Sequence, residues 1–274
     1  GKLVAFENHF IGMHYNGRPV SGSRFPDTEF PLLNVDNAHA SKTMFDIGTP
    51  CGPWRAPGAN TTAFVVQSFL DELAHAVGRD YLDFLLEIMG EPRWFDIDNV
   101  RSLNTGRAAD VIKLAADKSG WGRSLPPGRG LGLAFHFSHA GHIAEVAEVE
   151  VDQQKNLKVR KVVVAVDVGP IVNMSGAVSQ VQGGVIDGLS TMAAQKITME
   201  SGRIEQSNLH DYQVLRIPQA PIVEAHFIQS EYRPTGLGEP ALPPLAPAVA
   251  NAIFAATGDR VRKMPLTEEG YTLV

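Results

Sequence analysis

Ile143-Ala144-Glu145-Val146-Ala147-Glu148-Val149-Glu150-Val151, followed after a short polar turn by Leu157-Lys158-Val159-Arg160-Lys161-Val162-Val163-Val164-Ala165-Val166, is the stretch that decides the fold. Ala147, Val149 and Val151 alternate with Glu148 and Glu150, and Val162, Val164 and Val166 keep the same step. A period of two puts alternate side chains on opposite faces of a strand. Gln153 to Asn156 turns the chain between the two runs, so the pair reads as a half-buried antiparallel hairpin.

Working outward, Leu131 to Phe137 reads as a further strand. Arg123-Ser124-Leu125-Pro126-Pro127-Gly128-Arg129-Gly130 before it is a polar connector rich in proline and glycine, and it divides the chain into residues 1–125 and 126–274. Upstream the apolar spacing becomes helical. Phe64, Val66, Phe69, Leu70, Leu73 and Val77 predict a helix over 62–77, capped by Asn60 or Thr61 and closed by Gly78. Leu82, Leu85 and Leu86 after Asp80 predict a short helix, and Gly106 to Lys118 a third, stopped at Ser119-Gly120. Residues 1–52 read as short strands and long loops that pack against something outside themselves.

Downstream, Ser175 to Gln195 is a helical pattern containing Gly183, Gly184 and Gly188. Each glycine costs a helix about 1 kcal/mol relative to alanine, so three together imply close approach of another backbone or a ligand. A hairpin at Glu200-Ser201-Gly202, a strand over 221–228 and a last helix over 246–256 closed by Gly258 complete the chain. The expected class is α+β, with mixed sheets and packed helices.

Composition narrows the function. With 24 basic and 30 acidic side chains in 274 residues, net charge −6, there is no cationic footprint for nucleic acid. No run approaches the roughly 20 apolar residues of a membrane span. The chain starts at Gly1, not Met, which reads as a processed product, a fragment or a trimmed chain. One cysteine, Cys51, rules out an internal disulfide or a multi-cysteine metal site within these residues.

The chemistry-bearing candidate is Gly236-Leu237-Gly238-Glu239-Pro240, followed by Ala241-Leu242-Pro243-Pro244-Leu245-Ala246-Pro247. Flanking glycine and proline let a carboxylate approach a bulky group closely and in one direction, so Glu239 reads as a general base or, on the motif alone, as an ordinary loop glutamate. This motif, Pro53-Trp54-Arg55-Ala56-Pro57-Gly58 upstream, and Asp167-Val168-Gly169 with Gln180-Val181-Gln182-Gly183-Gly184 between them resemble, in order, the molybdopterin-binding large subunit of the xanthine oxidase family. The resemblance is to its carboxy-terminal part, in particular the branch of the isoquinoline 1-oxidoreductase beta subunit and the membrane-linked aldehyde dehydrogenases.

That resemblance implies the fold of a molybdopterin-binding domain, with 1–125 the remainder of a first cofactor-binding lobe and 126–274 a second lobe carrying the catalytic glutamate. It implies a molybdenum hydroxylase that oxidises an aldehyde to an acid, or hydroxylates an aromatic N-heterocycle, with oxygen from water. By position, Glu239 would be the base, and Arg55, Ala56, Gln180, Gly183 and Gly238 would contact the cofactor. The molybdenum would be held through the pterin, in its cytosine dinucleotide form, with no direct protein ligand. The family's Gly-Gly-x-Phe-Gly loop and Gly-Gln-Gly segment are not among these residues. A chain or segment supplying the amino-terminal half, a small subunit with [2Fe–2S] clusters and a cytochrome would be the partners, in a bacterial cytoplasm or periplasm. A non-catalytic scaffold or small-molecule-binding subunit of the same fold is the alternative.

Three further features stand beside this. His136, His139 and His142 have a spacing that a metal would need a bend at Gly141 to use, and pocket lining or packing is the preferred reading. Phe135, Phe137 and His139 are accordingly candidates to line a substrate pocket. No Gly-x-Ser-x-Gly elbow supports a serine hydrolase.

Overall fold

The computed structural model describes residues 1–99 and 101–274. Its elements run β1 (Ala5–Tyr15), β2 (Arg18–Pro19), β3 (Asn37–Asp46), α1 (Ala59–Ala76), α2 (Tyr81–Met89), α3 (Thr105–Ser119), β4 (Arg129–Ser138), β5 (Gly141–Val151), β6 (Asn156–Asp167), α4 (Met174–Ala194), β7 (Met199–Glu200), β8 (Arg203–Ile204), β9 (Ile222–Phe227), α5 (Leu245–Thr257) and β10 (Thr272–Leu273). Parallel and antiparallel pairs share one sheet and the helices pack on it, which makes the class α+β.

The central sheet runs β10-β6-β5-β4, with β9 also lying along β6. β4, β5 and β6 are antiparallel neighbours, while β9 and β10 run parallel to β6. The expected hairpin is there, but it is not half-buried. From Ile143 to Ala147 and from Val162 to Asp167 every residue is buried. The reason is that the sheet is covered twice. One face packs Ile143, Ala147 and Val164 against Val181, Val185 and Leu189 of α4 and Val249 and Ile253 of α5. The other packs Ala144, Val146 and Ala165 against Leu70 of α1, Leu85 of α2 and Val111 and Ile112 of α3. Alternation survives only where Glu148 and Glu150 reach Arg123, Arg129 and Arg160 at the rim.

Glycine sets the closeness of α5. A Cβ at Gly132 would stand 2.1 Å from the Ala248 carbonyl, and one at Gly130 2.3 Å from that of Ala252, so both positions must lack a side chain for the helix to lie on the strand. The second core is shared by the helices before residue 125 and the strands after it. The connector at 123–130 is therefore a change of element, with continuous packing across it. A separate sheet pairs β1 parallel with β3 and antiparallel with β2 around the tight turn Asn16-Gly17, and β3 is exposed along most of its length.

The α1 cap differs from expectation. The helix starts at Ala59 behind Gly58, with no side-chain cap. Asn60 lies in its first turn and its amide instead donates to the Arg55 carbonyl at 2.8 Å, tying the preceding turn to the helix.

Candidate functional site

The turn before α1, the face of α4, the β4–β5 turn and the long segment between β9 and α5 meet at one place. Each brings a residue singled out from the sequence. Arg55 donates through Nε to the Gly238 carbonyl at 2.7 Å and through Nη2 to the backbone and side-chain oxygens of Gln180, both at 3.2 Å. A planar guanidinium can bridge two segments in this way because its donors are fixed in a fork. Asp187, two helical turns beyond Gln180, stands 3.6 Å from Arg55 Nη1 and supplies the countercharge.

Ala56 is wholly buried with a left-handed backbone, φ 56°. In that conformation its N–H donates to Glu239 Oε1 at 3.0 Å. The other carboxylate oxygen, Oε2, lies 3.3 Å from His139 Nε2. His139 and Ala140 form a two-residue turn with φ of 54° and 61°, a conformation usually left to Asn-Gly. Beside it, Gly141 leaves room for Pro240, whose Cγ would be 3.1 Å from a Cβ there. The proline that follows the glutamate is thus seated on the hairpin, and Glu239 is held from both sides while its side chain remains about 40% exposed.

The glycines divide by role. At Gly184 and Gly188 a Cβ would meet the backbone of Ala241 and Leu242 at 3.2 Å, so these two let α4 pack against the segment after Glu239. Gly183 faces the Arg55 guanidinium, 3.5 Å from where its Cβ would be. Around Gly236 there is open space, and Gly238 has only Gln180 Oε1 at 3.9 Å.

The histidines go three ways. His136 is buried with Nδ1 3.7 Å from Glu29, His139 faces Glu239, and His142 Nε2 accepts from the Asn104 N–H at 3.1 Å. Burial, and after it the neighbouring His139, pushes His136 down to about 3. Burial also pushes Glu29 up to about 8, against a hydrogen bond from Thr62. Both members of the Glu29–His136 contact are therefore neutral near pH 7. Phe135 is fully buried, edge-on to Phe30 in the second core. Phe137 leans on His142 and lines, with Glu29, Phe30 and Phe95, a cavity of about 340 Å³. Cys51 is exposed. Among the described residues no group of three His, Cys, Asp or Glu could hold a metal ion. An open glycine-flanked floor with a fork of Arg55, an exposed amide at Gln180 and one carboxylate fits a group that brings its own metal ligands and is held by hydrogen bonds.

Asp167, which opens one of the quoted motifs, lies in a polar knot with an arginine that the sequence did not mark. Arg107 of α3 is buried and donates to both carboxylate oxygens of Asp167, at 2.7 and 2.8 Å. Burial pushes Asp167 up, but the guanidinium and the Ser230 hydroxyl outweigh it and hold the carboxyl below its ordinary value.

Residues 100–221 match the molybdopterin cofactor-binding domain. The isoquinoline 1-oxidoreductase subunit beta of Brevundimonas diminuta is 32% identical over 217 residues, 77% of this chain and 26% of that protein. The membrane-bound aldehyde dehydrogenase [pyrroloquinoline-quinone] of Gluconacetobacter polyoxogenes is 33% identical over 77% of this chain and 28% of its own length. The aldehyde oxidoreductase of Desulfovibrio gigas shares the fold, with a TM-score of 0.67 at 13% identity, across 97% of this chain and 46% of that one. The chain therefore carries a molybdopterin cofactor-binding domain. More particularly, it belongs with the molybdopterin-binding subunits of the xanthine oxidase family, and it spans about a quarter of the length of the first two relatives.

Proposed function

We propose that this chain furnishes the general-base side of a molybdenum hydroxylase that oxidises an aldehyde to a carboxylic acid or hydroxylates an aromatic N-heterocycle. The observation that carries the reading is the hydrogen bond from Ala56 N–H to Glu239 Oε1, which fixes the carboxylate among Arg55, Gln180 and Gly238. The cofactor, when bound, supplies the two-electron oxidation. Gln180 and the backbone around Arg55, Ala56 and Gly238 hold its edge, and Glu239 takes the proton from the water whose oxygen enters the product. For an aldehyde the balance is RCHO plus water giving RCOOH, two protons and two electrons. General-base help of this kind contributes typically 10²–10⁴-fold in rate.

The names of the relatives support both substrate classes, an N-heterocycle in one and an aldehyde in the other. The cytosine dinucleotide form of the cofactor, a separate [2Fe–2S] subunit and an onward electron acceptor such as a cytochrome belong to the same reading, as does a further chain or segment completing the cofactor site. The test is elemental analysis of the native assembly with each polypeptide identified by mass. Molybdenum together with iron, a longer partner chain and a small iron–sulfur chain is the expected result. A complete, metal-replete assembly without molybdenum would overturn the reading in favour of a scaffold.

A further inference from the structure

We propose that Asp167, clamped by Arg107, is a positioning residue for Glu239, acting by gripping the segment that carries it. The inference rests on Glu239 being the base. Between the end of β9 at Phe227 and the start of α5 at Leu245 the chain forms no helix or strand, so a catalytic carboxylate there has no rigid element of its own. Such a group must be held to within a fraction of an ångström by its supports.

The supports converge on the end of β6. Ile228 N–H donates to the Val166 carbonyl at 2.8 Å and Thr235 N–H to that of Val168 at 2.9 Å, one on each side of Asp167. Between those two bonds the Ser230 hydroxyl donates to Asp167 Oδ1 at 2.7 Å. Tyr232 lays its ring over the Arg107 guanidinium, 4.4 Å from the ring centre, and meets Trp94 edge-on at 5.7 Å. Gly169, at φ 79°, has the Tyr232 carbonyl 2.5 Å from where a Cβ would be, so the segment lies directly on the strand end. With side chains only 4% and 2% exposed, Arg107 and Asp167 form a fixed post rather than a surface contact. The Arg55–Gly238 bond then holds the far end, and Glu239 follows immediately.

A buried pair is a poor target for direct replacement, because removing one partner leaves the other charge uncompensated and endangers the fold. The decisive variant therefore removes the grip from the segment side and leaves the post intact. In the assembled enzyme, S230A combined with Y232A is expected to speed amide exchange over residues 229–238 by about ten-fold or more, with β5 and β6 unchanged. It should also lower kcat by roughly 10- to 100-fold with little change in KM, the scale on which misplacement of a catalytic group by about 1 Å is felt. Y232F alone, which keeps both the ring over Arg107 and the Ser230 bond, should leave the protection and the rate at wild-type levels. Faster exchange with kcat within about two-fold of wild type, unchanged exchange, or loosening of β5 and β6 along with the segment would each overturn the proposal. E239Q in the same series tests the underlying reading separately: it should lose turnover yet keep the segment protected.

Discussion

Glu239 Oε1 accepts a hydrogen bond from the Ala56 backbone N–H at 3.0 Å, across 183 residues of sequence. The donor is available because Ala56 holds a left-handed φ of 56°, which L-residues other than glycine, asparagine and aspartate seldom adopt. Strain of this kind persists where the surroundings over-determine it, and here they do: Asn60 holds the Arg55 carbonyl, and Arg55 holds Gly238 and Gln180.

Arg55 bridges the two segments through its fork, so a point charge in its place does only part of the job. R55K in the assembled enzyme should lower kcat by about ten-fold and weaken cofactor retention, since lysine cannot donate to Gly238 and Gln180 in the same fixed geometry. Molybdenum content per chain and steady-state rates together check this. Retention and kcat both at wild-type levels would show that the bridge is dispensable.

The His139-Ala140 turn stores local strain. Alanine in a left-handed conformation costs about 1–2 kcal/mol, whereas glycine there loses only about 0.5–1 kcal/mol of chain entropy. A140G should therefore stabilise the fold by about 0.5 kcal/mol and raise the unfolding temperature, with His139 still facing Glu239. A lowered unfolding temperature would show that the Ala140 methyl, which is nearly buried, contributes more by packing than the turn loses by strain.

Buried titratable groups fix the sign of the pH dependence. Glu29 is raised from 4.5 to about 8 by burial, so the folded state holds its proton more tightly than the unfolded chain does. Its contribution is fully present below pH 4.5 and is lost as pH rises towards 8. His136 and His142 are lowered from 6.5 to about 3, chiefly by burial, so stability is also lost as pH falls below 6.5. Urea midpoints measured from pH 5 to pH 9 should decline on the alkaline side, and E29Q should flatten that decline. An unchanged slope in E29Q would place the alkaline loss elsewhere.

Glu145 is a second source of the same loss. It sits wholly buried in the middle of β5, neither carboxylate oxygen has a hydrogen-bond partner among the described residues, and burial raises it well above 4.5. An orphaned buried polar group costs roughly 1–3 kcal/mol. E145L should stabilise the chain by about that amount, and more at pH 8 than at pH 5, as measured by thermal unfolding. Destabilisation at both pH values would mean that Glu145 has a partner in the assembled protein.

Much of the fold was legible because its elements announce themselves locally. The helices at Ala59–Ala76 and Thr105–Ser119 follow from apolar spacing and glycine stops, that at Met174–Ala194 from its helical pattern despite internal glycines, and β5 and β6 from their valines. Burial on both faces of β5 was not legible, because Glu148 and Glu150 at the rim alternate with Val149 and Val151, and that step does not hold over the buried run from Ile143 to Ala147. Motif order was enough to single out Arg55, Ala56, Gln180, Gly238 and Glu239, and the fold brings all of them together. Asp167 was singled out in its motif, but its partner Arg107 lay out of reach of the sequence, since an arginine on a helix and an aspartate ending a strand meet across 60 residues with no local pattern between them. Asp187 could have been found, as it lies two turns beyond Gln180 and hence near the same helix face.

The measurement that tests the central claim most directly is the turnover of E239Q in the assembled, molybdenum-loaded enzyme, compared at equal molybdenum content. The glutamine keeps an oxygen for the Ala56 N–H but cannot take up a proton at neutral pH. A fall in kcat of about 100-fold or more is the predicted result. Turnover within about three-fold of wild type, far above what loss of a general base leaves, would contradict the assignment of Glu239 as the base.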